Sequence, residues 1–258
     1  MSSHSGRTAI VTGASSGIGR ASAETLARAG FIVFGTSRRP ASNGPDGVTM
    51  LTCDVTEDAS VNALVSSVLS KTGRIDVLIN NAGVGLLGGA EESSIAQVQA
   101  LFDVNLFGVM RVTNAVLPSM RERRQGRIIN ISSVLGLIPA PYSAHYAATK
   151  IRSFGIRVAL IEPAYTRSVF DQNSLEPDAK LKEYDQARAN THALIEAVML
   201  TADLPEIVAE VVLQAASAQH LRRRYTAGKV ARQISILRRF APVQMFDKSM
   251  RKQMRLPV

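Results

Sequence analysis

Short apolar, β-branched runs alternate along this chain with longer amphipathic segments, and this alternation limits the possible folds most strongly. The runs predict strands at 8–11, 31–34, 48–53, 75–79, 127–131, 156–161 and 224–226. Because the runs are continuously apolar, they indicate strands buried on both faces of a sheet. Right-handed crossovers through the intervening helices then give an α/β fold, with about seven parallel strands in a doubly wound sheet.

Helix-length segments fill the intervals between these strands. We predict helices at 17–29, 57–71 and 95–120. The sequence contains no internal repeat or linker-like tract, so we expect one domain over residues 1–258. Ligands of such sheets bind at the carboxyl ends of the strands, which is where functional residues are expected.

Positive charge is concentrated towards the C-terminus. The net charge is +9, and residues 220–258 contain eleven Lys or Arg and one acid, for a segment charge of +10. This segment is a basic C-terminal extension of a nearly neutral body, and we predict no nucleic-acid partner. Its interleaved apolar residues suit either an anionic membrane surface or packing on the body, and membrane contact is not favoured.

The cysteine content and the apolar runs bear on the compartment. The single cysteine, Cys53, excludes an intramolecular disulfide. The first residues lack an apolar segment typical of a secretory signal, and no uninterrupted apolar run approaches the ~20 residues of a membrane span. We expect a cytoplasmic protein. The His and Cys spacing matches no zinc site, so we predict no metal.

A glycine-rich stretch, Thr12 to Gly19, follows the first predicted strand and opens the first predicted helix. Gly13 permits a tight turn, Gly17 lets backbone approach a pyrophosphate, and Gly19 lets the helix pack on the strand. The helix N-terminus offers free N–H groups and partial positive charge to phosphates. The alternative interpretation is a generic glycine-rich turn. We predict a Rossmann-type dinucleotide site formed by Gly13, Ser15, Ser16, Gly17, Ile18 and Gly19.

The end of the second strand indicates which dinucleotide is bound. Enzymes that prefer NAD usually place an acid there for the ribose diol, and the stretch from Thr36 to Arg39 has none. Arg38 can pair with a 2′-phosphate and Ser37 can hydrogen-bond it, so we predict NADP(H); the alternative is a pair of solvated arginines. After the third strand, Asp54 can accept from an adenine amino group, with Val55 beside it.

Tyr146 and Lys150 are four residues apart, which places them on one face of a helix. A nearby ammonium lowers the pKa of a phenol from its usual value of ~10. Ser133 follows the predicted strand 127–131, and the three groups suit a proton transfer coupled to hydride transfer. Asn105, inside a predicted helix, indicates a local kink or a polar task.

These motifs, taken in order with Asn80-Asn81-Ala82-Gly83, resemble the short-chain dehydrogenase/reductase family. The resemblance spans residues 12–150 and continues through the turn at 162–166. It implies that Tyr146 is the general acid/base and that Lys150 lowers its pKa and holds the nicotinamide ribose. It further implies that Ser133 orients the substrate carbonyl and that Asn105 holds a water linked to Lys150. The cofactor contacts implied in the same way are Asn81, Ala82, Gly83, Pro163, Tyr165 and Thr166.

The turn at 162–166 and the basic extension look most like the branch with 17β-hydroxysteroid and retinol dehydrogenases. This likeness implies a small-molecule substrate that is an alcohol or carbonyl compound of a bulky apolar type. Its apolar walls, or alternatively ordinary core residues, are Leu86, Leu87, Leu135 and Leu137. The segment 168–200, with predicted helices at 179–189 and 191–200, suits a substrate lid, and the alternative is a surface helical hairpin.

One departure from the family follows Lys150. The family continues this helix for several turns, whereas only five residues precede the next predicted strand here. A helix over 143–154 spans about 18 Å, just enough to recross a sheet about 17 Å deep. Either the crossover is short, which puts the family's usual homo-oligomer in doubt, or the natural polypeptide contains residues that this sequence lacks.

The sequence thus predicts an NADP(H)-dependent oxidoreductase that interconverts an alcohol and a ketone or aldehyde, with an apolar steroid-, retinoid- or lipid-like substrate. Two alternatives remain open. One is a non-catalytic NADP-binding regulator or scaffold, motivated by the short helix after Lys150. The other is a lipid carbonyl reductase on a membrane surface, motivated by the basic extension.

Overall fold

Seven parallel strands form one sheet in the structure, a computed structural model that describes residues 6–40, 44–136, 146, 158–168, 170 and 173–240, with backbone only at 158 and 238–240. The strands are β1 (Thr8–Val11), β2 (Ile32–Ser37), β3 (Val48–Thr52), β4 (Val77–Asn80), β5 (Arg127–Ile131), β6 (Val158–Pro163) and β7 (Arg224–Ala227). Their order is β3-β2-β1-β4-β5-β6-β7, and the predicted doubly wound sheet is confirmed.

Helices cover both faces of this sheet. They are α1 (Gly17–Arg28), α2 (Asp58–Thr72), α3 (Ile95–Phe102), α4 (Gly108–Glu122), α5 (Asp185–Met199), α6 (Pro205–Ser217) and α7 (Lys229–Phe240). Successive strand residues point to opposite faces, so Val11 packs with α1 and α6 while Ile10 packs with α2 and α4. Burial on both faces explains why the strands are continuously apolar.

A π-helical turn, Asp103–Phe107, joins α3 to α4 and contains Asn105. The prediction of a local irregularity at this asparagine is confirmed. The run Ile95–Glu122 is long and apolar enough to cross a membrane by length and composition alone. Its residues Val112 and Val116 are buried against α2 and the sheet, so we assign it to the core of the domain.

The segment 168–200 differs from its predicted secondary structure. One helix, α5, replaces the two predicted at 179–189 and 191–200. The backbone N–H of Ala179 donates to the carbonyl oxygen of Glu92 at 2.8 Å, and that of Leu181 donates to the Glu92 carboxylate at 2.9 Å. These contacts hold residues 179–181 against Glu92, so the helix begins only at Asp185, after a single 3₁₀ turn.

The strand order reverses between β1 and β4, because β2 and β3 lie on one side of β1 and the later strands on the other. The carboxyl ends of β1 and β4 therefore flank a crevice, which is the usual ligand position in such sheets. The residues that follow β1, β4, β5 and β6 are those in which the sequence placed the glycine-rich turn, Asn81, Ser133 and Thr166.

Candidate active site

Thr12 joins the glycine-rich turn to the end of β4. Its hydroxyl accepts from the backbone N–H groups of Asn81 at 2.9 Å and Ala82 at 3.0 Å. In return, the Asn81 amide donates to the carbonyl oxygens of Thr12 at 3.0 Å and Gly13 at 3.1 Å. Thr12 is 2% exposed, so these bonds form away from solvent and fix the turn across the crevice.

The glycines of the turn are tightly enclosed, and the pyrophosphate contact predicted for Gly17 stays a prediction. Gly13 has φ +67°, and a Cβ there would lie 3.0 Å from the Ala82 Cα. At Gly19 a Cβ would overlap the carbonyl oxygen of Gly13, so α1 packs on the turn itself rather than on a strand. Gly17, at φ +53°, lies beneath Ser168, where a Cβ would be 2.9 Å from the Ser168 Cβ.

The first turn of α1 fits a phosphate group. Ser15 and Ser16 are exposed there, Ile18 is half-buried, and no acid occupies the turn. The N-cap residue Ser16 makes no side-chain cap to the helix. Free N–H groups at a helix N-terminus bind anions, so the donor set suits a pyrophosphate.

Ser37 and Arg38 lie at the carboxyl end of β2, next to the segment that follows β3. Arg38 is exposed, and the Ser37 hydroxyl donates to the carbonyl oxygen of Arg39. The Asp54 carboxylate accepts from the backbone N–H of Thr56 at 2.9 Å and from its hydroxyl at 2.7 Å. These bonds, with a smaller effect from the nearby Arg38 charge, lower the pKa of Asp54.

Val55 is buried rather than open to the crevice. Its side chain lies against Gly108 at the start of α4, where a Cβ would be 2.8 Å from the Val55 Cγ2. The Val55 side chain thus belongs to the core, and its contact with a cofactor stays a prediction.

Asn105 holds the chain that follows Gly83. Its amide oxygen accepts from the backbone N–H of Val84 at 2.9 Å, and its amide nitrogen donates to the Val84 carbonyl at 2.8 Å. The side chain is 4% exposed, so the pair is a buried two-point clamp. π-turns interrupt the regular pattern of helical hydrogen bonds and are frequent at functional sites. Here the turn presents Asn105 to the loop after β4.

The predicted acid/base residues are described in part. Ser133 follows β5, and its hydroxyl accepts from the backbone N–H of Leu135 at 3.1 Å. Tyr146 is helical and half-buried. Lys150 lies outside the described residues, as do Leu137 and the short segment 151–155. The Tyr146–Lys150 pair therefore stays a prediction.

The turn after β6 is held by Asp203. The backbone N–H of Asp203 donates to the Tyr165 carbonyl at 3.2 Å, and its carbonyl accepts from the Arg167 N–H at 2.8 Å. Pro163 ends β6, Tyr165 is exposed, and the buried Thr166 hydroxyl donates to the Ala164 carbonyl at 3.1 Å. The turn predicted to hold the nicotinamide amide is thus fixed from outside the sheet.

Phe170 places the segment after this turn over the site. Its ring packs against Tyr146, with 5.9 Å between ring centroids and 55° between ring planes. A Cβ at Gly85 would lie 3.2 Å from the same ring. The Leu175 backbone N–H donates to the Gly85 carbonyl at 2.8 Å, and Leu86 and Leu175 form a β-bridge. Together with Ser168 over Gly17, these contacts extend from the phosphate turn to the loop after β4. We call the described residues from Ser168 to Arg188 the cover.

A buried ion pair anchors the far end of the cover. Glu92 is 0% exposed and pairs with Arg188 of α5, which is 9% exposed. The Glu92 carboxylate also accepts from the backbone N–H of Gly89 at 2.8 Å. Asp178 adds a second anchor by accepting from the Ser94 N–H at 2.7 Å. Arg188 pairs in addition with Asp185 of its own helix, and pairing of this kind offsets the cost of burying a charge.

Sequence reasoning did not identify Phe170, Glu92, Arg188 or Thr12 as individual site residues. Glu92 and Arg188 are 96 positions apart and belong to no local pattern. Phe170 lay inside the segment predicted as a lid, and only its contact with Tyr146 distinguishes it. Thr12 could have been found, because a buried β-branched hydroxyl directly before a glycine turn suits a backbone acceptor.

The chain is similar to a large set of dehydrogenases. The family described as short chain dehydrogenase matches residues 7–152. An uncharacterized oxidoreductase of Bacillus subtilis is 32% identical, over 95% of this chain and 98% of that protein. A 3-ketodihydrosphingosine reductase of Bacteroides thetaiotaomicron is 41% identical over 64% of this chain. Retinol dehydrogenase 8 of Bos taurus is 37% identical over 66% of this chain. The chain spans only 65% and 62% of the lengths of these last two relatives.

Solved structures give the same likeness. A short-chain dehydrogenase from Streptomyces avermitilis has a TM-score of 0.78 and 29% identity, covering 98% of this chain and 99% of that one. The closed form of a serine dehydrogenase complexed with NADP+ has a TM-score of 0.71 and 26% identity, covering 86% and 95%. A Burkholderia phymatum relative in complex with NAD has a TM-score of 0.76 at 24% identity and supports the fold alone.

Proposed function

The chain belongs to the short-chain dehydrogenase family, and on that premise we propose that it is an NADP(H)-dependent oxidoreductase that interconverts an apolar alcohol with its ketone or aldehyde. The observation that carries this proposal is one arrangement in the described part of the chain. The glycine-rich turn, which Thr12 opens, follows β1, and Asn81, which is bonded to Thr12, follows β4. Ser133 follows β5 and the turn at Thr166 follows β6, so all of these residues lie at one edge of the sheet.

Each group has a definite task in the proposed reaction. When bound, the nicotinamide cofactor supplies or accepts the hydride. The Ser133 hydroxyl donates to the substrate oxygen, and Tyr146 transfers the proton to or from that oxygen. The N-terminus of α1 and the glycine-rich turn, which the Thr12–Asn81 hydrogen bonds fix, hold the pyrophosphate. Phe170, half-buried beside Tyr146, shields the phenol hydroxyl that carries the proton from water.

An apolar substrate is supported by the residues that face Tyr146. Phe170 packs on its ring, and the paired residues Leu86 and Leu175 lie at the neighbouring loop. Two similar proteins are named for apolar molecules, 3-ketodihydrosphingosine and retinol. We therefore propose a long-chain or ring-containing carbonyl compound rather than a sugar or hydroxy acid.

Replacement of Tyr146 by Phe tests the reaction. The variant removes one hydroxyl and retains the ring packing, so NADPH oxidation with a panel of apolar carbonyl compounds is expected to fall at least 100-fold. NADPH binding by fluorescence is expected to persist. Oxidation that survives the change would remove Tyr146 as the proton donor. A parent protein that binds NADPH and oxidises none of the panel would be an NADP-binding regulator instead.

Arg38 and Arg39 form a matched pair for the cofactor preference, since both are exposed arginines at the end of β2. A charge-assisted hydrogen bond to the 2′-phosphate contributes about 1.5–3 kcal/mol. Arg38→Ala is therefore expected to weaken NADPH binding about 10- to 150-fold and to leave NADH binding unchanged. Arg39→Ala is expected to change neither. Equal affinity of the parent for NADPH and NADH would contradict the assignment of NADP(H).

A further inference from the structure

Exposed apolar side chains surround Asp203, outside the turn after β6. Leu200 is 76% exposed and Leu204 is 50% exposed, although both are large hydrophobic residues. Tyr165 is also exposed. They come from two segments, the connection between α5 and α6 and the turn after β6, and single exposed hydrophobic residues need no explanation. Their grouping does.

Hydrogen bonds bring these segments together. Asp203 bonds to the backbone of Tyr165 and Arg167, and the Arg167 guanidinium donates to the Leu200 carbonyl oxygen at 2.5 Å. The Asp203 carboxylate lies so close to Gly228, directly before α7, that a Cβ at this glycine would overlap it. The apolar residues around Asp203 are therefore continuous with the start of α7.

The helix α7 extends this surface. Its inner face packs through Ala231, which is 0% exposed, while Val230, Ile236 and Leu237 face solvent. Lys229 and Arg232 are exposed on the same helix. Twelve residues span about 18 Å, and α7 also packs against the 3₁₀ turn after Ser133. The helix α7 therefore borders the residues that follow Ser133 in the candidate active site.

The charges around this face select its partner. Arg167, Lys229 and Arg232 are exposed on this face, and α7 belongs to the basic segment of charge +10. A second copy of the same face would meet like charge, which disfavours self-association. Apolar side chains interspersed with Lys and Arg are the composition of helices that lie on anionic lipid.

We propose that this face, called the rim surface, docks on an anionic membrane with the active site opening towards the lipid. The rim surface consists of Tyr165, Leu200, Leu204, Val230, Ile236 and Leu237 with the cations Arg167, Lys229 and Arg232. In the described residues, α7 packs on the body and also exposes apolar side chains. It is therefore compatible with both alternatives left open by the sequence, which were packing on the body and contact with a membrane surface. The docking gives an apolar substrate a path from the bilayer, and it is measured without turnover, so it stands independently of the proposed reaction.

Sedimentation with vesicles tests the proposal. The full-length protein is mixed with vesicles of phosphatidylcholine alone or with about one third phosphatidylserine, and the bound fraction is measured. Binding is expected only to the anionic vesicles and is expected to fall in high salt. A cation near such a surface contributes about fivefold in affinity, so K229E/R232E is expected to weaken binding on the order of 25-fold or more. L200S/L204S is expected to weaken it at least tenfold, because two exposed leucines lose their insertion into lipid.

The control is R121E/R124E, which makes the same charge change at exposed residues that precede the amino end of β5. It is expected to bind as the parent does. Equal loss in R121E/R124E and K229E/R232E would reduce the effect to net charge and overturn the proposal, and so would no binding of the parent to anionic vesicles. A dimer that L200S/L204S converts to a monomer would also overturn it, since the rim surface would then be a contact between copies.

Discussion

Phe170 packs its ring against Tyr146 at a centroid distance of 5.9 Å and at the same time lies over Gly85. One side chain of the cover thus touches both the proposed proton donor and the loop after β4. The tilted arrangement is a favourable aromatic geometry, worth about 0.5–1.5 kcal/mol beyond the buried area. Phe170 therefore restrains the Tyr146 ring, and in the proposed function it forms part of the apolar substrate wall.

Removal of the Phe170 ring is expected to impair the reaction. Phe170→Ala opens the space beside Tyr146 to water and leaves the phenol ring less restrained, so kcat/KM for an apolar ketone is expected to fall about 10-fold or more. Phe170→Leu retains an apolar side chain and is expected to lose less. The pH profile of kcat is measured for all three proteins. An unchanged kcat/KM in Phe170→Ala would show that the ring only fills space.

Glu92→Gln is expected to loosen the cover and destabilise the protein. The change removes the buried one of the two carboxylates that pair with Arg188 and leaves the exposed Asp185, so the loss in urea unfolding is expected to approach the about 3–5 kcal/mol typical of a broken buried pair. Substrate KM is expected to rise more than kcat falls, because Glu92 anchors the end of the cover opposite to Phe170, the residue that packs on Tyr146. The control is Glu24→Gln, which breaks the more exposed Arg20–Glu24 pair and is expected to cost at most about 1 kcal/mol. Equal costs for the two variants would contradict the anchoring role.

Thr12→Val is expected to weaken cofactor binding. Valine has the shape of threonine without the hydroxyl, so the N–H groups of Asn81 and Ala82 lose their acceptor at a cost of about 1–3 kcal/mol each. Thr12→Ser retains the acceptor and is the matched control. Unfolding in urea and NADPH titration are measured together. NADPH affinity that is equal in Thr12→Val and Thr12→Ser would show that the turn forms without this hydroxyl.

Asp76 lies at the amino ends of the strands, and it is expected to make the free energy of unfolding depend on pH. Burial raises the pKa of its carboxyl, but hydrogen bonds from Arg74, the Thr8 backbone and Arg123 outweigh burial, and the net pKa is lowered. A lowered folded pKa means that the stabilisation is present above the unfolded value of about 3.9 and is lost as the pH falls through the folded value.

Asp76→Asn is therefore expected to cost about 1.5–3 kcal/mol at pH 7, and the difference from the parent is expected to shrink below about pH 4. Urea unfolding at pH 7, 5 and 3 measures this. Asp46→Asn, at an exposed acid, serves as the control. A difference between parent and Asp76→Asn that stays constant over this range would contradict the assignment.

The sheet could be predicted because each strand carries its own signal. β1 and β5 lie where continuous apolar runs placed them, and β1 is buried at every residue. β3, an edge strand that is only partly buried, also lies within one residue of its predicted bounds. The irregularity at Asn105 was likewise local, because an asparagine with a polar task disrupts the regular helix around it.

The cover could not be predicted from local patterns. Residues 179–181 have helical propensity, yet their N–H groups bind Glu92, which is nearly 90 positions away in the chain. α6 was missed among the helices, although Pro205 stands at its first turn and Glu206 follows. The Tyr146–Phe170 contact depends on how the cover folds back, which spacing along the chain does not encode.

The π-helical turn at Asp103–Phe107 also resets the phase of the long helix. Its hydrogen bond spans one residue more than an α-helical turn does, so side chains after it are rotated by roughly 100° relative to a continuous helix. α3, which contacts the cover through Ser94 and Gln97, and α4, which packs Val112 and Val116 in the core, therefore keep separate angular registers along one axis. The face that α3 presents to the cover is thus set independently of the face that α4 packs in the core.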